Sequence, residues 1–410
     1  AHLTVAENIF LGREALKFGY INQKKLNRVA REYLKKLNLD IDPQTIVGDL
    51  PVSKQQMVEI AKALSTNAKI IIMDEPTSAL TQRETEELFR IVRELRDNGC
   101  GIVYISHRLE ELAHIVDRVT ILRDGKYVDT KNFNETTVEE IISLMVGREI
   151  KEKFPRIPSK KGKKILEVKA LNAGKLVKNV SFELFEGEII GFAGLMGAGR
   201  TELVRAIFGA DRVDSGEIVL MGEKLHIKAP IDAINAGIAC APEDRKKEGL
   251  CLNLHIRENI SLANLDAISN RFGVISRKKE IALTERAIKE LKIKTPSQVQ
   301  SAKNLSGGNQ QKIVVAKWLV RNAKVVIFDE PTRGIDVAAK VEIYNLMNKL
   351  KKEGVGVIFV SSEMPEVMGM SDRVLVMCDG RITGDLSIGD ASQDKILRCA
   401  TQYEAKERVV

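Results

Sequence analysis

IIGFAGLMGAGRTELVRAIFG, Ile189–Gly209, joins an apolar, β-branched run to a glycine-rich turn and then to an apolar-striped helix. In such a strand–turn–helix unit the glycines leave backbone N–H groups free to face phosphate oxygens, and the helix N-terminus adds positive potential. The candidate nucleotide contacts are Gly194, Gly197, Ala198, Gly199, Arg200, Thr201 and Glu202. The Thr201 hydroxyl is placed to meet a nucleotide-bound Mg²⁺. Arg200 stands where the strict pattern has lysine. It keeps the charge but offers a planar fork in place of a compact ammonium, so its reach to the phosphates differs. Taken alone, the turn also serves simply to pack a helix on a sheet.

Working outward, the chain repeats itself. IIMDEPT (Ile71–Thr77) returns as VIFDEPT (Val326–Thr332), 255 positions on. LPVSKQQ from Leu50 and LSGGNQQ from Leu305 share that offset, as do DRVTILRDGK from Asp117 and DRVLVMCDGR from Asp372. ENI at Glu7 returns at Glu258, an offset of 251. An equivalent of the glycine-rich turn falls before Ala1, so the first half is expected to lack its front. Ala1 in place of Met fits an incomplete N-terminus. Apolar runs such as KVVIFD and GVIFVSS read as buried strands, and alternate with helical stripes such as RETEELFRIVRELRDNG. That alternation predicts an α/β fold with a largely parallel sheet, twice over. The expected boundaries are a partial first domain over 1–146, a linker over 147–164 and a second domain over 165–410. The linker rests on its prolines and on Lys160, Lys161, Lys163 and Lys164.

Composition sets outer limits. With 44% apolar and 29% charged residues among 410, a core of ordinary size is expected. The net charge of +8 admits an anionic partner but reads first as a lysine-rich solvated face. Five cysteines without a CxxC pair, and five scattered histidines, argue for reduced thiols and against a zinc site. No apolar run approaches the ~18 residues of a membrane-spanning helix, and no signal peptide is visible.

Each DEPT strand ends in two acids, Asp74 and Glu75 or Asp329 and Glu330. Paired acids at a strand tip suit Mg²⁺ binding, through Asp74 or Asp329, and water activation, through Glu75 or Glu330. In LSGGNQQ, Ser306, Gly307, Gly308 and Gln310 put a hydroxyl and two bare backbone units at a helix N-terminus, able to grip a γ-phosphate. The first copy has Pro51, Val52 and Ser53 instead. Proline removes a hydroxyl and an N–H, and the two side chains crowd an approach that glycine leaves open. His107 follows a strand and could touch a γ-phosphate; its counterpart is Ser362.

Together these motifs resemble the ATP-binding subunits of ABC transporters. The tandem, asymmetric layout, with PEDRKKEGL (Pro242–Leu250) and SSEMPEV (Ser361–Val367), looks like the ribose, galactose and xylose importer branch. The resemblance covers essentially the whole chain. It implies two tandem P-loop NTPase domains of ABC type, the first lacking its P-loop portion, that bind ATP and Mg²⁺ in a head-to-tail sandwich. One site then carries Asp74, Glu75 and His107 with Ser306–Gly308. The other carries Gly194–Thr201, Asp329 and Glu330 with the poor signature copy, and is expected to be degenerate. Glu243 stands where such domains usually have a glutamine that couples to the membrane partner. The implied partners are two integral-membrane permease subunits and, indirectly, an extracytoplasmic sugar-binding protein, at the cytoplasmic face of the membrane. A nucleoside importer of the same layout remains an alternative. So does a soluble tandem protein acting on ribosomes or RNA, although nucleic acid is not expected, because the basic residues are not interleaved with aromatics. The chain as written is expected to bind nucleotide at Gly194–Thr201 with little turnover.

Overall fold

The structure, a computed structural model, describes the chain except residues 15, 18, 67, 78–79, 107–108, 124, 147–153, 159–161, 322 and 403–410. His107 therefore lies outside the described residues. The chain folds as two units, Ala1–Ile150 and Lys151–Val410.

The second unit is built on a six-stranded sheet. Its spatial order is Ile238–Ala241, Val325–Asp329, Gly356–Val360, Ile189–Gly194, Arg373–Cys378 and Arg381–Ser387. Five strands run parallel and the last pairs antiparallel at the edge. Parallel strands covered on both faces read as continuous apolar runs, and the alternation along one strand shows how each face is filled. Val325 and Ile327 enter one core with Leu203, Val204 and Ile207 of the helix Arg200–Phe208. That core also holds side chains of an antiparallel sheet formed by Glu223–Lys224, Ser215–Leu220, Lys164–Ala173 and Val177–Phe185. Val326 and Phe328 enter the other core, beneath the helices Gly307–Leu319 and Val337–Lys352.

In the first unit the helices Val5–Ile9, Gln23–Lys36 and Val52–Leu64 share one core with Ile71 and Met73 of the strand Ile70–Asp74. This strand pairs in parallel with Gly101–Ile105. The helix Gln82–Asp97 starts on a reciprocal cap, Thr81 with Glu84. One face of the two-stranded sheet is open to solvent: Ile70 is 68% and Ile72 69% exposed, with Val103 and Ile105 also exposed. The positions 255 further on, Val325, Ile327, Ile358 and Val360, are all buried.

Part of the expected linker is not a solvated strap. Phe154 packs on Tyr344 with ring centroids 5.8 Å apart. The carbonyls of Pro155 and Ile157 accept bonds from Asn348 and Lys351, and Lys164 already begins a strand. The reason is local: Phe154 and Ile157 are the apolar residues of that segment, and burying them brings the backbone to two polar groups on the helix Val337–Lys352. All five cysteines are free.

Candidate functional site

Three parallel strands of the second unit, Ile189–Gly194, Val325–Asp329 and Gly356–Val360, end side by side, and the candidate residues gather at their carboxyl ends. The glycine-rich turn needs its glycines. Gly199 has φ 96°, and a Cβ there would lie 2.0 Å from the carbonyl oxygen of Leu176. Gly199→Ala is expected to destabilise the second unit by about 2–3 kcal/mol; urea unfolding reports it, and an unchanged midpoint would refute the reading. Gly197 also has positive φ, Ala198 is buried, and Glu202 stands in the first turn of the helix that Arg200 opens.

Thr201 Oγ1 donates to Asp329 Oδ1 at 3.3 Å. Asp329 is 2% exposed, and burial pushes its carboxyl up to about 7, with Glu243 and Glu330 adding repulsion against the relief from Thr201 and Arg200. A hydroxyl and a carboxylate facing each other form a hard-oxygen pair of the kind Mg²⁺ prefers alongside phosphate oxygens and water.

Arg200 is engaged within the unit. Its Nη1 donates to the carbonyl of Ser361 at 2.7 Å, and its Nη2 lies 3.9 Å from Glu330 Oε1. Ser362 Oγ donates to Glu330 Oε2 at 3.1 Å. Burial raises the Glu330 carboxyl above its ordinary range, which Arg200 and Ser362 partly offset. Glu330 has φ 47° and Glu75 has φ 50°, both in the left-handed region that side chains rarely adopt. In each unit its N–H donates to the neighbouring strand, to Val360 or Ile105, at 2.9 Å. The two copies keep the same costly backbone at the same glutamate. Asp74 ends its strand as Asp329 does.

Ser306 occupies the cap position of the helix Gly307–Leu319 without a side-chain bond to that helix's backbone; it accepts from Asn309 Nδ2 at 3.0 Å and is exposed. A Cβ on Gly308 would lie 2.8 Å from that of Ala339, and one on Gly307 would lie 2.7 Å from Arg245 Nη2. Ser306–Gly308 thus neighbour Arg245 and Gly334, not Thr201 and Asp329. Gln310 does not line a nucleotide site as expected: it is 4% exposed and donates to the Ala302 carbonyl at 3.1 Å. Its counterpart Gln55 donates to Leu50 in the same way, so the residue ties its helix to the preceding turn in both copies. In the first unit Pro51 occupies the cap position without a side-chain bond, and Val52 is 66% exposed.

Sequence reasoning missed Arg245. Its guanidinium donates to the carbonyls of Arg333 at 2.9 Å and Gly334 at 3.3 Å, bracing the turn after DEPT. The segment carrying it is itself held by Arg205 on Glu248 and by Lys317 Nζ on the Gly249 carbonyl. The quoted PEDRKKEGL was the available signal, but its partners lie far off in sequence.

A family model described as ABC transporter matches residues 1–78 and 177–333. The chain is 52% identical to a putative ribose/galactose/methyl galactoside import ATP-binding protein of Agrobacterium fabrum, covering 98% of this chain and 80% of that protein. It is likewise 52% identical to a ribose import ATP-binding protein of Bacillus licheniformis, covering 97% and 81%. Among solved structures, an ATP-binding cassette of an ABC transporter superposes with a TM-score of 0.50 at 19% identity, covering 58% of this chain and 98% of that one. That last likeness concerns the fold alone.

Proposed function

The chain belongs to the ABC transporter family, and from that premise we propose that it is the ATPase subunit that energises uptake of a monosaccharide of the ribose and galactose class. The similarity to relatives named for that import, at 52% identity over nearly the whole chain, carries this reading. Among the described residues no helix is long and apolar enough to cross a membrane. In this reading the chain docks at the cytoplasmic face on two membrane permease subunits, which an extracytoplasmic binding protein supplies with sugar.

The residues divide the chemistry. The backbone of Gly194–Gly199 and the N-terminus of the helix Arg200–Phe208 cradle phosphates. Thr201 and Asp329 are the oxygen donors that would hold Mg²⁺; the ion, when bound, neutralises charge on the β- and γ-phosphates. Ser306, Gly307 and Gly308 offer a hydroxyl and bare amides to a γ-phosphate, which Pro51, Val52 and Ser53 do not. Glu75, whose repeat unit also carries His107, orients and deprotonates the attacking water. Glu330 sits beside Arg200 and Ser362, where the strict pattern has lysine and where the first copy has His107, and is the poorer candidate on that ground.

The test is ATP hydrolysis by the complex, purified with its membrane subunits and reconstituted in proteoliposomes. Stimulation by a binding protein loaded with ribose or galactose is expected. Stimulation by a nucleoside instead, or by RNA without any membrane subunit, overturns the sugar reading.

A further inference from the structure

A buried glutamate recurs in both units where no expectation placed a functional residue. Glu111 is 9% and Glu366 2% exposed, and they stand 255 positions apart. In the first unit Glu111 Oε2 accepts from Thr77 Oγ1 at 2.8 Å, Tyr104 OH at 3.2 Å and Ser106 Oγ at 3.2 Å. In the second, Glu366 Oε2 accepts from Thr332 Oγ1 at 2.6 Å and Ser361 Oγ at 3.0 Å. Tyr344, on the helix Val337–Lys352, stands beside the same carboxylate. Thr77 and Thr332 are the threonines of the two DEPT motifs. Ser106 and Ser361 immediately precede position 107 and Ser362.

The tyrosine shows what is being kept. Tyr104 lies on a strand, and its counterpart is Phe359; Tyr344 lies on a helix, and its counterpart is Phe89. A tyrosine thus stands at this carboxylate in both units, from a strand in the first and from a helix in the second. Lys340 also contacts Glu366, at 2.7 Å, and its counterpart position is Thr85. A buried carboxylate is costly unless several donors satisfy it, and once satisfied it fixes the groups that donate.

We infer that Glu111 and Glu366 are positioning residues, each clamping the DEPT turn to the end of the neighbouring strand, at Ser106 or Ser361. The clamp sets where the acid two residues before the threonine, Glu75 or Glu330, stands at its own strand end. The functional consequence in the first unit rests on the reading of Glu75 as the base. Displacement of a catalytic group by a fraction of an ångström lowers the rate of the chemical step with little change in binding.

The test uses the membrane complex and compares Thr77→Val, Thr77→Ser, Glu111→Gln and Glu75→Gln. Thr77→Val keeps the volume and removes the hydroxyl. It and Glu111→Gln are expected to lower kcat roughly 10- to 100-fold, with KM for ATP within about twofold and the melting temperature little changed. Thr77→Ser is expected to restore kcat. Combining Thr77→Val with Glu111→Gln is expected to cost little more than either alone, as for two members of one network. If Glu75→Gln abolishes turnover while Thr77→Val and Glu111→Gln do not lower it, the clamp is overturned. If Thr77→Ser falls as far as Thr77→Val, the hydroxyl is not the operative group, and the clamp again fails. Turnover that survives Glu75→Gln sinks the assignment of the base instead. If Glu111→Gln does not fold, the valine–serine pair at Thr77 decides.

Discussion

With the first unit's P-loop portion present, Glu75→Gln is expected to lower steady-state ATP hydrolysis by the membrane complex about 1,000-fold while leaving ATP bound. Glutamine keeps the size and polarity of the side chain but cannot take a proton from the attacking water. Glu75 ends an acid pair on the strand Ile70–Asp74, holds the strained left-handed backbone, and shares a repeat unit with His107. Glu330 occupies the same backbone state, with the Ser362 hydroxyl donating to its carboxylate and Arg200 3.9 Å away. Because its unit has Arg200 where the strict pattern has lysine, and Ser362 where the first copy has His107, Glu330→Gln is expected to lower turnover only about two- to threefold, far below the general-base contribution. Equal losses for the two substitutions would remove the functional asymmetry between the units.

The second large effect concerns pH. Asp329 is held near pKa 7 against an ordinary value of 3.8. The folded protein therefore keeps a proton there that the unfolded chain has released, and stability falls as pH rises across that window. Below about pH 4 both states are protonated and the penalty is absent; above pH 7 it is complete, at most about 4 kcal/mol. Asp329→Asn, which cannot ionise, is expected to raise the melting temperature of the nucleotide-free protein at pH 8 by up to about 8 °C. The difference should vanish near pH 4. The same substitution should weaken ATP binding in the presence of Mg²⁺ more than in EDTA. A melting temperature gain of equal size at pH 4 and pH 8 would assign the effect to packing instead of to the charge.

The strands and the repeat were legible because both are local or periodic. VVIFDEPT shows an apolar run and its acid tip within eight residues, and the 255-residue offset needs only the sequence laid against itself. What escaped was side-chain direction. Gln310 sits beside two glycines in LSGGNQQ and so looked like part of a phosphate grip. Two positions along the helix from Gly308, a rotation of about 200°, instead carry its amide to the Ala302 carbonyl. The fork of Arg200 could be placed at the turn but not aimed; its target, the Ser361 carbonyl, is 161 residues away. Glu111 and Glu366 were equally hidden, since their donors arrive from a turn, a strand and a helix. Phe154 and Ile157 were absorbed into a linker by the prolines and lysines around them, and composition does not reveal that two apolar residues suffice to lay such a segment down.

The exchange of tyrosine and phenylalanine between the units bears on how duplicated domains diverge. Column by column, Tyr104 against Phe359 and Phe89 against Tyr344 register as two unrelated losses. In space they are one tyrosine set against one buried carboxylate, carried by a strand in the first unit and by a helix in the second. Exchanging the pair in the first unit, by Tyr104→Phe with Phe89→Tyr, would give it the arrangement of the second.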